Sequence, residues 1–302
     1  MNWFEQRFEQ LQLKTRNSVY IDDAVSPDGR RFSKELEIGL ELGKGGYGLV
    51  KLATNNKGLR FGVKLVEKNR ILKWTYEERK GESLSLPLEF SILNKLNYPS
   101  ILKVVDVFES LEYFQIVVEL VQGISLFDLI EKNGHLEEEV ARWIFLQVTD
   151  AIRYLHGVGV LHNDIKDENI MVNKSGEIKL VDFGSACYHS NILTRNYCGS
   201  ETYSSPEVAK EKKYCRTLQE IWSLGVLLFV MVCGSAPFQT ILQVQDGDPE
   251  YPPGIHLSQD LLLLISAVLE KSPEKRFNLT QILSSPWVKL NLIKSPEFLV
   301  FD

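Results

Sequence analysis

The chain has 302 residues, 44% hydrophobic and 25% charged, with 34 Lys+Arg against 40 Asp+Glu for a net charge of −6. That composition excludes disorder and collagen-like structure, and it supplies no basic field for nucleic acid or an anionic membrane surface. The four cysteines, Cys187, Cys198, Cys215 and Cys233, form no C-x-x-C pair. This argues against a thiolate zinc site or a small disulfide scaffold and for reduced thiols in a cytosolic type of compartment.

The first 32 residues read as a tail. Phe4, Phe8 and Leu11 recur at i, i+4 and i+7, which predicts a short amphipathic helix, and Pro27-Asp28-Gly29 is a turn signal. Neither the basic start nor the apolar run of a signal peptide is present. A tail packed loosely on the body and a docking segment are both open. Short strands are then predicted over 36–42, 49–53, 61–66, 101–108 and 114–119, with one helix over 88–96 between them. After Gly123 the pattern turns helical: Val140, Trp143, Ile144, Val148, Ala151, Ile152 and Leu155 keep a helical period, and Gly157 stops it. Further helices are predicted over 219–232 and 259–270. The most apolar run, 221–233, is shorter than the roughly 20 residues of a membrane span and predicts a buried core helix. The fold class is therefore α+β in two lobes. A β-rich lobe with one key helix spans 33–121, a larger helical lobe spans 122–290, tails occupy 1–32 and 291–302, and the hinge falls at 119–123.

Leu42-Gly43-Lys44-Gly45-Gly46-Tyr47-Gly48-Leu49-Val50 contains G-x-G-x-x-G. A dinucleotide-binding fold needs a helix after the last glycine, whereas Leu49-Val50-Lys51-Leu52-Ala53 reads as a strand. A hairpin over phosphates fits better, because glycines let backbone N–H groups come close to phosphate oxygens; a plain turn remains open. Lys64 stands inside the apolar strand 61–66, which is costly without a partner. An edge lysine reaching solvent is the alternative. Glu89 shares a helix face with Ile92, Leu93 and Leu96 and is the natural partner; Glu77, Glu78 and Glu82 lie in a polar stretch without such a face.

The most informative segment is Leu161-His162-Asn163-Asp164-Ile165-Lys166-Asp167-Glu168-Asn169, followed by Asp182-Phe183-Gly184, Ser205-Pro206-Glu207 and, far along the chain, Arg276. An acid, a lysine two residues on and an amide five residues on could address one phosphoryl-transfer centre. In this order and spacing the chain resembles a eukaryotic protein kinase over about 36–290. Lys166 two residues after Asp164 is similar to the serine/threonine branch. Asp167-Glu168-Asn169, Asp182-Phe183-Gly184-Ser185-Ala186, Ile221-Trp222-Ser223-Leu224-Gly225 and the insert 69–86 look most like PAS-domain kinases of the calcium/calmodulin-dependent-kinase-like group. The tail before Leu36 is too short to hold a PAS domain.

The resemblance implies a bilobal kinase fold and a role for each matched residue. Leu42, Gly43, Gly45, Gly48 and Val50 would cover ATP. Lys64, aligned by Glu89, would hold the α- and β-phosphates. Glu119 and Val121 would present backbone groups to the adenine edge, with Val118 as gatekeeper and Met171 as the floor. Asp164 would accept the substrate hydroxyl proton while Lys166 stabilises the transferring phosphoryl, and Asn169 and Asp182 would hold Mg²⁺. Glu207 and Arg276 would form a buried structural ion pair. The implied partners are proteins with Ser/Thr acceptors, with no nucleic acid or membrane; the chain is expected to be monomeric and cytoplasmic, with nuclear access open.

The departures from the family pattern concern regulation more than catalysis. Asn163 stands where an arginine usually receives an activation-segment phosphate, so a segment competent without phosphate on Thr194 or Ser200 is expected. Gly62 replaces the usual alanine and is expected to leave slightly more room above the adenine. Glu220 stands where most kinases have Asp. Glu168 would favour basic residues upstream of the acceptor, or is a solvated acid. A catalytically silent scaffold and a small-molecule phosphotransferase are the alternatives. The presence of Lys64, Asp164 and Asp182 counts against the first, and a peptide-docking segment before Glu207 counts against the second.

Overall fold

The computed structural model describes residues 24–45, 48–79, 82–190 and 192–290. The helix expected around Phe4 to Leu11, the glycine-loop tip Gly46-Tyr47 and the tail from 291 lie outside the described residues. The chain divides into two compact units, one holding 24–97 and Leu102–Gln122, the other Tyr98–Ile101 and 123–290.

In the first unit a short helix α1 (Phe32–Glu35) leads into β1 (Leu36–Gly45), β2 (Gly48–Asn55) and β3 (Arg60–Glu67). A hairpin of β4 (Trp74–Arg79) and β5 (Glu82–Pro87), helix α2 (Leu88–Leu93), β6 (Val104–Glu109) and β7 (Tyr113–Glu119) complete it. The main sheet is antiparallel in the order β1-β2-β3-β7-β6. Its central strands are rich in β-branched residues, and Val63, Leu65 and Val117 are buried against Ala53 and Phe108.

Three features of this unit differ from the reading of the sequence. Residues 24–32 are not loose tail: Ala24 and Phe32 are in the core, and Phe32 meets Phe108 edge-on at 5.1 Å. Val25 bridges to Glu109, and Arg30 pairs with Asp106 at 2.7 Å. The polar insert also contains structure, because β4 and β5 pair from Trp74↔Pro87 to Arg79↔Glu82. Helix α2 ends three residues early, at Leu93, and its last turn closes with Lys95 and Leu96 N–H on the carbonyls of Ile92 and Leu93.

The second unit is mainly helical. Strand β8 (Ile124–Ser125) opens it, and α3 (Leu126–Asn133) and α4 (Glu138–Gly157) follow. The loop-rich middle holds β9 (Val160–Leu161), β10 (Ile170–Val172), β11 (Ile178–Leu180) and β12 (Cys187–Tyr188). Next come α5 (Pro206–Ala209), α6 (Arg216–Cys233), α7 (Ile241–Asp246), α8 (Gln259–Val268), α9 (Leu279–Ser284) and α10 (Pro286–Lys289). Helix α6 has the length and composition of a membrane span, yet every residue from Gln219 to Cys233 is buried within this unit, as expected of a core helix. Helix α4 turns Val140, Ile144, Val148, Ile152 and Leu155 inward, the face its period predicts. The small strands pair β10 with β8 and β11, and β9 with β12, which fixes the loops between them.

Candidate active site

In the first unit the glycine segment is a β-hairpin, with Gly43 opposite Val50 and Gly45 opposite Gly48. The residues after Gly48 are strand, so the dinucleotide-binding alternative falls. Gly48 is required for a steric reason: its φ is +152°, and a Cβ there would lie 2.3 Å from the Leu65 carbonyl oxygen. Val50 is half-buried and Gly43 exposed on this hairpin.

Lys64 occupies β3 opposite Val50 on one side and Ile116 on the other. Its Nζ donates to Glu89 Oε1 at 2.6 Å, with the two side chains 14% and 11% exposed. The strand lysine and the helix acid expected to pair do so. The rival Glu77 is engaged elsewhere, accepting from Ser91 Oγ at 2.5 Å and pairing with Lys95 at 3.4 Å. Val118 is buried, and the room expected from Gly62 is filled: a Cβ at Gly62 would come 3.0 Å from Val118 Cγ2. At Glu119 the N–H already donates to the Lys103 carbonyl at 3.0 Å, so this N–H is not available to an adenine edge. Val121 and Leu42 are half-buried.

The second unit assembles the loop acids and amides. Asn169 Nδ2 donates to Asp164 at both the backbone oxygen (2.8 Å) and Oδ2 (3.0 Å), while Lys166 Nζ lies 3.7 Å from Oδ2 and 2.6 Å from Glu168. Burial lowers the Lys166 pKa, but its hydrogen bond to Glu168 and the charges of Asp164, Glu168 and Asp182 outweigh this and leave it above its ordinary value. The Val181 N–H donates to the Asn169 carbonyl at 2.9 Å, which brings Asn169 beside Asp182. Asp182 itself sits at φ 58°, a left-handed conformation that Asp tolerates better than most residues. Met171, half-buried on β10, pairs with Ser125 of β8.

Spacing along the chain did not reveal the Ser200 contact. Its N–H and its hydroxyl both donate to Asp164 Oδ1 at 3.0 Å. The preceding Gly199 permits this approach, since a Cβ there would lie 2.7 Å from the Asn163 carbonyl. The Ser200 hydroxyl is thus a hydrogen-bond partner of the loop acid. Tyr203 behaves similarly, its hydroxyl donating to Asp167 at 2.9 Å. Burial raises the Asp167 pKa above the ordinary carboxylate value despite that bond.

Asn163, at φ 63°, uses its amide where the family's arginine would stand. Nδ2 donates to the Ser185 carbonyl at 3.2 Å and approaches Cys187 Sγ at 3.2 Å. Further along, Thr194 and Tyr214 exchange backbone hydrogen bonds of 3.1 and 2.9 Å, and the Tyr197 hydroxyl donates to the Ser200 carbonyl at 2.7 Å. Glu207 and Arg276 form the expected buried pair, bidentate at 2.8 and 3.0 Å.

No group of three or more His, Cys, Asp or Glu among the described residues could hold a metal ion by itself. Asn169 and Asp182 supply two hard oxygens, and that is the donor set Mg²⁺ accepts when phosphates and water complete its shell. The residues present therefore fit Mg²⁺ as a nucleotide-bound ion and no dedicated metal centre.

The protein kinase domain family model matches residues 36–288. The mouse PAS domain-containing serine/threonine-protein kinase is 36% identical over 252 residues, covering 82% of this chain and 18% of that protein. Arabidopsis thaliana CBL-interacting serine/threonine-protein kinase 1 is 35% identical over 285 residues, covering 91% of this chain and 62% of that protein. Zebrafish (Danio rerio) serine/threonine-protein kinase pim-2 is 34% identical over 295 residues, covering 93% and 91%. The chain belongs to the protein kinase family, on its serine/threonine side. It spans less than a fifth of the mouse PAS-domain relative's length.

Proposed function

We propose that this chain transfers the γ-phosphoryl group of ATP to serine or threonine hydroxyls of proteins. The observation that carries this reading is the Asp164 carboxylate, which accepts a serine hydroxyl at 3.0 Å with Lys166 and Asn169 on its other oxygen. An acceptor hydroxyl in the place of Ser200 would give its proton to Asp164 as its oxygen bonds to the γ-phosphorus and the bond to the ADP oxygen breaks. Lys166 then faces the charge on the phosphoryl oxygens, and Lys64, oriented by Glu89, holds the α- and β-phosphates. In the first unit Leu42, Gly43, Gly45, Gly48 and Val50 would cover the nucleotide and Val118, Glu119 and Val121 would face its base; in the second, Met171 is assigned to the base by its matched position. Mg²⁺, when bound to Asn169 and Asp182, would neutralise phosphate charge.

The activation segment in this reading works without phosphate. The Asn163 amide, the β9–β12 pair and the Thr194–Tyr214 backbone exchange supply the bracing that an arginine–phosphate contact gives elsewhere. Glu168, 56% exposed beside Lys166, favours substrates with a basic residue upstream of the acceptor. None of the four cysteines is in a disulfide, in keeping with a reducing, cytoplasmic setting.

Phosphatase-treated protein given labelled ATP and Mg²⁺ should phosphorylate basic Ser/Thr peptides, and an Asp164→Asn variant should lose about 10²–10⁴-fold in rate. Transfer that appears only after phosphate is restored to Thr194 would overturn the phosphate-free activation. No transfer with nucleotide binding intact would favour a scaffold.

A further inference from the structure

Glu89 reaches Lys64 from a helix that cannot hold itself in place. Helix α2 (Leu88–Leu93) has six residues, and Pro87 before it offers no side-chain cap. A helix so short is not stable by its own hydrogen bonds, so its position is set by what packs against it. Phe90, Ile92 and Leu93 are buried, and so is the polar Ser91, at 0% exposure. A buried hydroxyl needs a partner, and within a helix it usually finds one in a backbone carbonyl one turn back. Ser91 Oγ instead donates to Glu77 Oε1 at 2.5 Å.

Glu77 stands in mid-strand on β4, opposite Leu84 of β5. That hairpin is fixed to the main sheet: Trp74 meets Phe114 of β7 edge-on at 5.9 Å, and Leu86 is 2% exposed. It is also fixed to the start of the helix, where the Leu88 N–H donates to the Lys73 carbonyl at 3.0 Å. Glu89 and Ser91 are two residues apart, so on a helix they point about 200° from each other. The helix is thus gripped from two sides, by Lys64 of the sheet through Glu89 at 2.6 Å and by Glu77 of the hairpin through Ser91. Lys95 also reaches Glu77 at 3.4 Å, but its side chain is 57% exposed and such a pair contributes little. The Ser91 bond is the stronger hold, because its acceptor is charged and both groups are largely out of water.

We propose that Glu77 is a positioning residue for phosphoryl transfer: through the Ser91 hydroxyl it ties α2 to the β4–β5 hairpin and so keeps Glu89 on Lys64. The hairpin then supports the orientation of the phosphate-binding lysine, although none of its residues touches nucleotide or acceptor. The inference rests on the kinase reading and deepens it.

Three variants separate the roles: Glu77→Leu removes the acceptor, Glu77→Gln keeps an oxygen for the Ser91 hydroxyl, and Ser91→Ala removes the donor. Each is made in the native chain and in a Glu89→Gln background, with kcat/KM for ATP corrected for the fraction folded and amide exchange followed over 88–93. Expected is a loss of about tenfold for Glu77→Leu and for Ser91→Ala, the scale of one hydrogen bond to a charged group. Glu77→Gln should stay within about threefold of native. In the Glu89→Gln background neither loss should exceed about twofold, because Glu77 acts through that acid. Losses that persist in full there, or a native kcat/KM in Ser91→Ala, overturn the proposal. Should Glu77→Leu fail to fold, Ser91→Ala carries the same comparison. If the native chain transfers no phosphate, the kinase reading fails by itself and amide exchange judges the tie. Faster exchange over 88–93 in Ser91→Ala but not in Glu77→Gln supports it, and unchanged exchange contradicts it.

Discussion

Among the ion pairs that tie together distant parts of each unit, Arg276–Glu207 in the second and Lys64–Glu89 in the first are built differently. Arg276 binds Glu207 through a bidentate fork, also donates to the carbonyls of Glu270 and Leu218 at 3.0 Å, and stacks over Trp222 at 5.0 Å. Its side chain is 0% exposed. A guanidinium held at so many points cannot be lent to a ligand; it is scaffold. Lys64 meets Glu89 through one oxygen at 2.6 Å, and both side chains keep some exposure. An ammonium on a flexible stem is a compact point charge that can turn toward a phosphate, unlike a fork locked at several points. Geometry thus separates a pair locked into the fold from a pair that keeps the exposure its proposed phosphate contact needs.

Substitutions should separate them in the same way. Lys64→Met should lower phosphoryl transfer by about 10²–10³-fold, the usual effect of removing one charge-stabilising group, with little change in melting. Glu207→Gln should do the reverse. It leaves the Arg276 charge buried against a neutral amide, a loss of roughly 3–5 kcal/mol of stability, while kcat per folded molecule stays near native. Urea titration and single-turnover rates on the same preparations check both.

The smallest effect concerns acid. Burial pushes the Glu220 pKa up, but the His156 hydrogen bond and charge and the Asn163 N–H hold it below its ordinary value of 4.5. Its contribution to stability is therefore complete above the unfolded pKa and is lost as pH falls through the folded one. Unfolding midpoints measured from pH 7 downward should therefore drop below about pH 4.5, with Glu220→Gln showing a shallower low-pH limb.

Legibility in the sequence followed distance along the chain. Lys64 sits in a short apolar strand and Glu89 on a helical apolar face, so both were readable from local period, and the two-lobe layout followed from the change of period after Gly123. The β4–β5 hairpin was hidden because charge masks its alternation: Trp74 and Tyr76 are exposed while Leu86 is buried on the returning strand. Ala24 and Phe32 were missed because a polar stretch surrounds two residues that the core takes in. The contacts around Asp164 were out of reach for another reason. Ser200 is 36 residues away from it, and Glu220 is 64 residues from His156. No local pattern marks a hydroxyl or an imidazole for a tertiary contact.

The most direct measurement is phosphoryl transfer by Lys64→Met beside Glu207→Gln, each corrected for the fraction folded at the assay temperature. Loss of transfer confined to Lys64→Met, with loss of stability confined to Glu207→Gln, is the predicted result. A Lys64→Met variant that transfers phosphate within about tenfold of native, or whose lost activity simply follows lost folding, would contradict the account.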